Sequence, residues 1–493
     1  MDTEGKLLSA TIRTYQDNPD IQRKRWIILF VMNLFTFMST LDGSIVNIAL
    51  PTISKELGLP LAQIEWVTTS YLMAICAAIL FFGKLGDIIG KIRIFKLGTV
   101  VFIIGSLLCG ISTSIGLLVG ARIVQAIGAS MTMANSQGIV TDIFPSTERG
   151  KALGLVGTFV SLGSIAGPSV GGVLVSHFGW QSIFWVNVPI GVIALLYGWR
   201  ILPPDYTKTH KRIDVPGTLL FSLFMVSLFV GLLLGQQIGY ADLRIIGALV
   251  LAVVSFLVFL WVEARRSEPL LHLPLFRNSL FTLSIICGFL VFVANFCFNI
   301  IAPFYAQSLL GLSPSQAGLL LMLFPIMMVI VAPISGALSD KIGSEPLTFA
   351  GLLVMVVAQL GLATLHEGSS LVVVGTLIAL LGIGNGLFQS PNNSLVMSRI
   401  ERTQLGLAGS VNSLVRNVGM VVGITLATST LFHVMSTQAG YRVTGLIPDR
   451  PDIFLAGMHT VFLVSSTICI AAMVLTGWRM LNARKQGEGQ RAV

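Results

Sequence analysis

A long succession of apolar runs is the feature that most constrains this chain of 493 residues. Stretches of about 20 nearly uncharged residues follow one another, and each is long enough to cross roughly 30 Å of hydrocarbon. Because lipid offers no partner to an unpaired backbone group, we expect every one of them to be helical. The fourteen predicted spans are 26–50, 66–83, 96–115, 117–142, 153–176, 181–202, 215–236, 244–264, 279–305, 315–338, 346–365, 369–396, 407–432 and 455–478.

The composition excludes an ordinary soluble domain. Hydrophobic residues make up 54% of the chain and charged residues only 11%, whereas about a quarter of a soluble domain is charged. A net charge of +9 would suit nucleic acid, but the basic residues lie in short loops between apolar runs, with no stripe of interleaved aromatics. The lipid bilayer is therefore an expected partner and nucleic acid is not.

The distribution of Lys and Arg predicts the orientation of the chain. If both termini are cytoplasmic, 25 of the 31 basic residues lie in inner segments. Only Lys55, Arg244, Arg442 and Arg450 lie outside, which is the bias that the positive-inside rule describes. The first span continues without a cleavage site, so we expect it to remain as an anchor rather than act as a signal peptide.

A charged turn occurs twice and divides the chain. Residues 83–90 and 336–343 both fit G-x-L-x-D-x-x-G, and they follow predicted spans 2 and 10. Pairs of glycines four residues apart recur in spans 5 and 13 (Gly167 and Gly171, Gly419 and Gly423). Such repeats are typical of transporters built from two related halves. The predicted division is a cytoplasmic segment 1–25, a six-helix bundle 26–202, a linker with two inserted spans 203–278, a second six-helix bundle 279–478 and a cytoplasmic tail 479–493.

The sequence gives no sign of an enzyme, a metal or a cofactor. All five cysteines lie in apolar runs without a C-x-x-C pair, which favours packing over a zinc site or a disulfide framework. No nucleophile–base pair stands out, and the phosphate-binding motif G-x-x-x-x-G-K-[ST] is absent. We therefore expect a protein that is not an enzyme, has no cofactor and does not hydrolyse ATP; the resemblance described next implies the proton as its coupling ion.

Five motifs, in order along the chain, carry a resemblance to a known family. Residues 41–51 resemble L-D-x-T-I-V-N-V-A-L-P with Ser44 for Thr, and residues 180–191 fit W-x-x-x-F-x-x-N-x-P-x-G. The turn after span 2 lacks usual basic residues at Ile88 and Ile92, and span 4 fits R-x-x-Q-G-x-G except at Ala126. Residues 163–172 match the fifth-helix motif. The chain resembles the 14-helix drug:proton antiporter branch of the major facilitator superfamily, which implies an all-α fold of two six-helix bundles plus two inserted helices.

Asp42 and Arg122 are the candidates for proton coupling. A carboxylate deep in span 1 is costly in lipid and usually functional, although it could instead fix helix 1 through a neighbouring donor. Arg122 cannot lose its proton, so its role would be electrostatic. The resemblance implies that Arg122 takes part in proton coupling; satisfaction by backbone carbonyls is the alternative.

Two further groups are candidates for conformational gating. The resemblance implies that the turn aspartates contact basic loop residues and a helix N-terminus of the other bundle, unless these are only solvated turn charges. The residues concerned are Gly83, Asp87, Gly90, Lys91, Arg93, Arg149, Gly336, Asp340 and Gly343. The span 5 motif breaks the helix and gives it a smooth face that would slide across the bundle interface, or that only packs tightly. It comprises Gly163, Gly167, Pro168, Gly171 and Gly172, and the resemblance associates it with export.

Polar residues within spans are candidates for a substrate pocket, or else hydrogen-bond between helices. They are Tyr71, Gln125, Asn295, Asn299, Gln389, Asn392 and Asn393. Glu65, at the outer mouth of span 2, is a second acidic candidate unless it is an exposed interface residue. One deep carboxylate, and none in the cores of spans 9–14, favours monovalent cations or neutral lipophilic compounds. Arg416 would receive an anion or be satisfied by carbonyls.

The expected function is proton-coupled export of lipophilic drugs across a bacterial plasma membrane by a monomer. Its partners would be a small-molecule substrate, protons and the bilayer. A dedicated exporter of one metabolite, lipid or antibiotic is the alternative within transport. A non-transporting membrane sensor on the same fold is a third hypothesis, which the intact coupling residues disfavour.

Overall fold

The computed structural model describes residues 15–206, 214–266, 271, 273–397, 405–447 and 450–491, and these contain helices and no strand. The all-helical prediction is confirmed. The long helices are α1 Pro19–Leu57, α2 Trp66–Ile89, α3 Lys91–Gly110, α4 Ile115–Ile143, α5 Ser146–Phe178, α6 Asn187–Ile201, α7 Val215–Ile238, α8 Leu243–Glu263, α9 Ser279–Phe304, α10 Leu323–Ile342, α11 Ser344–Leu362, α12 Leu371–Met397, α13 Leu405–Ala439 and α14 Pro451–Arg491.

Most of these helices can span a membrane. Among the described residues, 13 helices are long and apolar enough, and α5 contributes the shorter apolar stretch Leu162–Phe178. Span 10, predicted as one helix, is divided into Pro314–Leu321 and α10. Pro325 explains the break, because proline lacks an N–H and its ring clashes with the carbonyl four residues earlier, that of Leu321. Short helices, Leu61–Ile64 and Ser182–Trp185, likewise precede α2 and α6.

The same helix pairs pack in the two parts of the chain. α1 packs on α5 and α6, and α4 packs on α2 and α3; correspondingly, α9 packs on α13 and α14, and α12 packs on α10 and α11. We call α1–α6 the first half and α9–α14 the second half. A Cβ atom on Gly171 of α5 would lie 2.5 Å from Ile45 of α1, and one on Gly423 of α13 would lie 2.5 Å from the Val293 carbonyl of α9. Close approach through glycine thus recurs at both pairs.

Both charged turns need a glycine at their last position. Gly90 and Gly343 directly precede α3 and α11, with φ of +116° and +90°. Residues with a Cβ atom rarely adopt these angles. The duplicated motif therefore encodes the same sharp reversal between two helices in each half.

The halves meet along two seams. α2 contacts α13 at one seam, and α5 contacts Pro314–Leu321 and α10 at the other. Helix α7 lies over the first seam: it packs on both α2 and α13, and the Ser222 hydroxyl donates to the Ala77 carbonyl of α2 at 2.8 Å. Helix α8 packs on α7, with an apolar outer surface that includes the exposed Val253, Leu257 and Trp261. The two inserted helices therefore cover one seam.

Candidate transport site

A buried ion pair lies inside the first half. Asp42 of α1 and Arg122 of α4 have side chains that are 0% exposed, and Asp42 Oδ2 lies 2.6 Å from Arg122 Nη1. Each charge alone would be strongly unfavourable in a medium of low dielectric constant. The two residues predicted separately as proton-coupling candidates are therefore direct partners.

Amides and a carbonyl complete the coordination of this pair. Asp42 Oδ1 accepts from Gln125 Nε2 at 2.9 Å and from Asn187 Nδ2 at 2.7 Å. Arg122 donates through Nε to the Val67 carbonyl at 3.0 Å and through Nη1 to Gln125 Oε1 at 2.6 Å. Both carboxylate oxygens of Asp42 thus accept hydrogen bonds, from side chains of α4 and α6.

Aromatic rings enclose the guanidinium. The Arg122 Cζ atom lies 4.0 Å from the centroid of the Tyr71 ring and 5.7 Å from that of Phe184, both within cation–π distance. Arg122 Nη2 is buried and has no hydrogen-bond partner in the described part of the chain. The two N–H donors on this Nη2 atom therefore remain available.

A central cavity of about 350 Å³ lies between the two halves and is lined by residues of both. This volume suits a small molecule. Arg122 and Tyr71 line it, whereas Asp42 lies behind them and does not. Its second-half wall is partly aromatic, with Phe292, Phe296 and Phe324. The polar lining residues are Thr36, Ser39, Thr40, Ser44, Asn47, Thr68, Tyr71, Arg122, Thr132, Ser136, Gln137, Ser164, Asn295, Asn299, Asn385, Gln389, Ser413, Arg416 and Asn417.

The cavity occupies the middle of the molecule and extends toward one side. We call the side where α1 begins the termini side. On the opposite side the halves are joined: Gln307 Nε2 donates to the Ile48 carbonyl at 3.0 Å, and the Ser315 amide donates to Ser176 Oγ at 3.2 Å. The cavity reaches Gln137 of α4 and Val156 of α5, in the termini-side parts of these helices.

Of the eight pocket candidates, counting Glu65, four line the cavity and four do not. Tyr71, Asn295, Asn299 and Gln389 line it. Gln125 instead binds Asp42 and Arg122, because its side chain points into the first half. Asn392 is buried and donates to the Ser284 carbonyl of α9 at 3.1 Å, whereas Asn393 is exposed and accepts from Asn412 at 3.2 Å. These three polar residues therefore connect side chains or helices instead of facing the cavity.

Glu65 is fully buried, so the alternative of an exposed interface residue at the mouth of span 2 is wrong. It lies at the break between Leu61–Ile64 and α2, and its side chain interacts with Thr428 of α13. A second acidic group is thus enclosed in the seam between the halves, away from the cavity.

The turn after α2 binds acidic residues of its own half. Lys91 Nζ lies 2.9 Å from Asp142 and 3.6 Å from Asp87. The Asp205 carboxylate accepts from the Ile92 and Arg93 amides at 2.9 Å each, so it occupies the N-terminus of α3. The side chains of Arg149 and Asp340 lie outside the described residues. A contact between this turn and the second half remains a prediction.

The α5 motif has two faces. Cβ atoms on Gly163, Gly167 or Gly171 would collide with α1 of the same half, so these glycines do not form the expected sliding surface between bundles. Gly172 does face the second half: its Cβ would lie 2.5 Å from the Pro314 carbonyl oxygen. The Pro168 carbonyl oxygen also packs against the short helix that begins at Pro314, where a Cβ on Gly318 would collide with it. The motif therefore serves both close packing on α1 and the seam.

The sequence analysis does not single out several residues that contact Asp42 or line the cavity. Asn187, which binds Asp42, and Asn47, which lines the cavity, were noticed only as members of motifs. Their amides in apolar spans were the signal, but their partners come from distant helices. Asn385 and Asn417 of the second half also line the cavity without belonging to any motif.

Two repeated six-helix halves around a central cavity lined by both polar and apolar residues define the architecture of a multi-pass membrane transporter. Residues 32–424 match the family model of the Major Facilitator Superfamily, and the chain belongs to this superfamily.

Two relatives and one solved structure illustrate the similarity. The riboflavin transporter RibZ of Clostridioides difficile (strain 630) is 35% identical over 94% of this chain and 99% of its own length. The multidrug resistance protein Stp of Mycobacterium tuberculosis (strain CDC 1551 / Oshkosh) is 30% identical over 93% of this chain and 92% of its own. The crystal structure of a bacterial homologue of the human lysosomal transporter Spinster, in an inward-facing and unoccupied conformation, covers 92% of this chain and 96% of that chain, with a TM-score of 0.64 and 16% identity. That last likeness concerns the fold.

Proposed function

We propose that this protein exports small lipophilic molecules in exchange for protons. The observation that carries the proposal is the position of Arg122, which pairs with the buried Asp42 and also lines the cavity. A proton taken up by Asp42 removes the charge that holds the guanidinium. Arg122 can then form other interactions in the cavity, so that proton binding and substrate binding depend on each other through one side chain.

The exchange would proceed by alternating access. Substrate enters the cavity from the termini side while Asp42 is charged. The joined contacts on the opposite side then open, substrate leaves and Asp42 is protonated there; return of the empty protein releases the proton on the termini side. We place both termini in the cytoplasm of a bacterial cell, as the Lys and Arg bias and the bacterial relatives suggest. We also propose a monomer with the domain division given above.

Of the cationic and neutral substrates considered, the cavity favours neutral ones. Among the described residues that line it there is no Asp or Glu, and Asp42 is enclosed behind Arg122 and Tyr71. A cationic drug would find no carboxylate in this wall. Neutral compounds can use its asparagines and aromatic rings.

A dedicated exporter is the second candidate. The relative RibZ is named for a single compound, riboflavin, whereas Stp is named for multidrug resistance. A single-substrate protein would move one compound of a panel and reject the others, and a multidrug exporter would move several.

Transport in proteoliposomes tests the proposal. Purified protein is reconstituted, a pH difference is imposed, and the movement of riboflavin, other neutral compounds and a permanently cationic dye is followed together with internal pH. We expect neutral compounds to move against protons, with dependence on the pH difference. Substrate movement that neither requires the pH difference nor changes internal pH would contradict proton coupling, and movement of the cationic dye alone would contradict the preference for neutral compounds.

A further inference from the structure

Arg416 of α13 is a cation in the wall of the cavity with no counter-ion among the residues that the structure describes. It lines the cavity from the second half, on the other side from the Asp42–Arg122 pair. No carboxylate of the described residues lies within ion-pair distance, and its buried Nε has no hydrogen-bond partner in the described part of the chain. Among the described residues, no carbonyl satisfies this Nε atom.

The charge balance of the cavity wall is therefore asymmetric. Two arginines line it; Asp42 neutralises Arg122, and no carboxylate in the described part of the chain does so for Arg416. An arginine remains charged at any physiological pH, so an isolated one in a membrane interior is strongly unfavourable unless an anion or several acceptors reach it. The other described residues of the wall are neutral, so an acceptor with negative charge would have to arrive with the ligand.

The surroundings of Arg416 suit a particular shape of ligand. Ser413 and Met420 lie one helical turn before and after it on α13, and both line the cavity. The Ser413 hydroxyl is a further donor on the same face of α13, and Phe292, Phe296 and Met328 give the wall of the same cavity an apolar and aromatic surface. A planar guanidinium binds two oxygens of a carboxylate, sulfonate or phosphate at once.

We infer that Arg416 is the binding site for an anionic group, and that the substrates include amphipathic molecules with an apolar aromatic body and one carboxylate, sulfonate or phosphate. This inference rests on the proposed function only in treating the cavity as the substrate site. It extends the substrate class from neutral compounds to organic anions, and it gives the second half a role in recognition separate from the Asp42–Arg122 pair.

Equilibrium binding of two matched dyes tests the inference without any transport step. The full-length protein in lipid nanodiscs is titrated with 1-anilinonaphthalene-8-sulfonate and with N-phenyl-1-naphthylamine, which has the same aromatic body and no sulfonate. Empty nanodiscs supply the background. The variants are Arg416→Gln, Arg416→Lys and, as a control outside the cavity, Arg244→Gln, whose side chain is 81% exposed.

We expect Arg416→Gln to weaken binding of the sulfonate dye by about tenfold and to leave the neutral dye unchanged, because only the charge-assisted contact is lost. Arg416→Lys should retain part of the affinity, and Arg244→Gln all of it. Equal binding of the sulfonate dye to the wild type and Arg416→Gln would overturn the inference, as would an equal loss for both dyes. If the sulfonate dye binds through Arg416 but no compound moves in proteoliposomes, the proposed function fails and Arg416 is still an anion-binding residue. If compounds move but Arg416→Gln binds the sulfonate dye as the wild type does, the proposed function stands and the inference fails.

Discussion

Arg122 forms three kinds of contact with one side chain: an ion pair with Asp42, hydrogen bonds to Gln125 and the Val67 carbonyl, and stacking on Tyr71. Only a planar fork of donors satisfies these directions together, since a lysine ammonium is a single point charge on a flexible chain. We therefore regard the geometry of this residue, and not only its charge, as functional.

Replacement of Arg122 by lysine separates the effect of its charge from that of its planar geometry. In Arg122→Lys the charge opposite Asp42 is kept, but the hydrogen bonds to Gln125 and Val67 cannot all be made. Each hydrogen bond to a charged group contributes about 1.5–3 kcal/mol, so we expect gradient-driven transport to fall about tenfold or more. Initial transport rates, normalised to the amount of monodisperse protein, check this. A wild-type rate in Arg122→Lys would show that charge alone suffices.

At this scale the sequence identified the ionisable residues but not their partners. Asp42 and Arg122 are conspicuous because charges are rare in apolar spans. That they pair, and that Gln125 and Asn187 complete the network, depends on which faces of α1, α4 and α6 turn toward each other. Arg122 and Gln125 are three residues apart on α4, and only Arg122 reaches the cavity; a pattern along the chain does not resolve such a difference.

Among the elements, α5 packs on α1 of its own half and also contacts the second half. Its glycines at 163, 167 and 171 let it approach α1, while Gly172 allows the second half to close against it through Pro314 and Ser315. A side chain at position 172 would separate the halves on the opposite side without touching the ion pair. Position 120 on α4 offers a control, because a Cβ there would meet nothing within 4 Å.

We expect Gly172→Val to slow transport by about tenfold, since overpacking typically costs 1–3 kcal/mol and here it falls on contacts that must form in each cycle. Gly120→Val should transport like the wild type. Expression level and thermal stability in detergent are measured for both, so that a folding defect is recognised. Equal rates in the two variants would remove the proposed role of the seam.

Elements were predicted better than their interruptions. The apolar runs predicted the position of all fourteen helices, because a membrane-spanning length leaves little freedom, but not how far the helices extend beyond the apolar core. Helices α1 and α5 begin seven residues before their predicted spans, and α14 continues 13 residues beyond its predicted end. The division of span 10 at Met322 was missed, although Pro325 was visible, because proline is often tolerated in membrane helices. The duplicated turn was predicted from the sequence, whereas the positive φ of Gly90 and Gly343 became visible only in the structure.

For the whole molecule, the structure represents one arrangement of the two halves. They are in contact on the opposite side, and α13 also contacts α4 nearer the termini side, where a Cβ on Gly409 would collide with Gln137 Oε1. The sequence repeat predicted two halves but could not predict which contacts between them are formed, since different arrangements use the same residues. Helix α7 packs on both α2 and α13, so the inserted pair covers the seam between these two helices.

A crosslink across the joined side should stop transport. Ser176 and Ser315 belong to different halves and are in contact, and all five native cysteines are buried. In the double variant Ser176→Cys, Ser315→Cys, oxidation is expected to abolish transport and a reductant to restore it. The two single variants should be insensitive to oxidation. Transport that continues in fully crosslinked protein would exclude separation of the halves on this side.

The most direct test of the central claim compares two transport modes in Asp42→Asn. The amide keeps the shape of the side chain but cannot carry a proton, so we predict that exchange of labelled for unlabelled substrate persists while accumulation driven by a pH difference is lost. Proteoliposomes loaded with the compound that the wild type moves fastest serve for both measurements, and Glu65→Gln is the matched control. Undiminished gradient-driven accumulation in Asp42→Asn, with loss of it in Glu65→Gln, would contradict the account and move the proton site to the seam between α2 and α13.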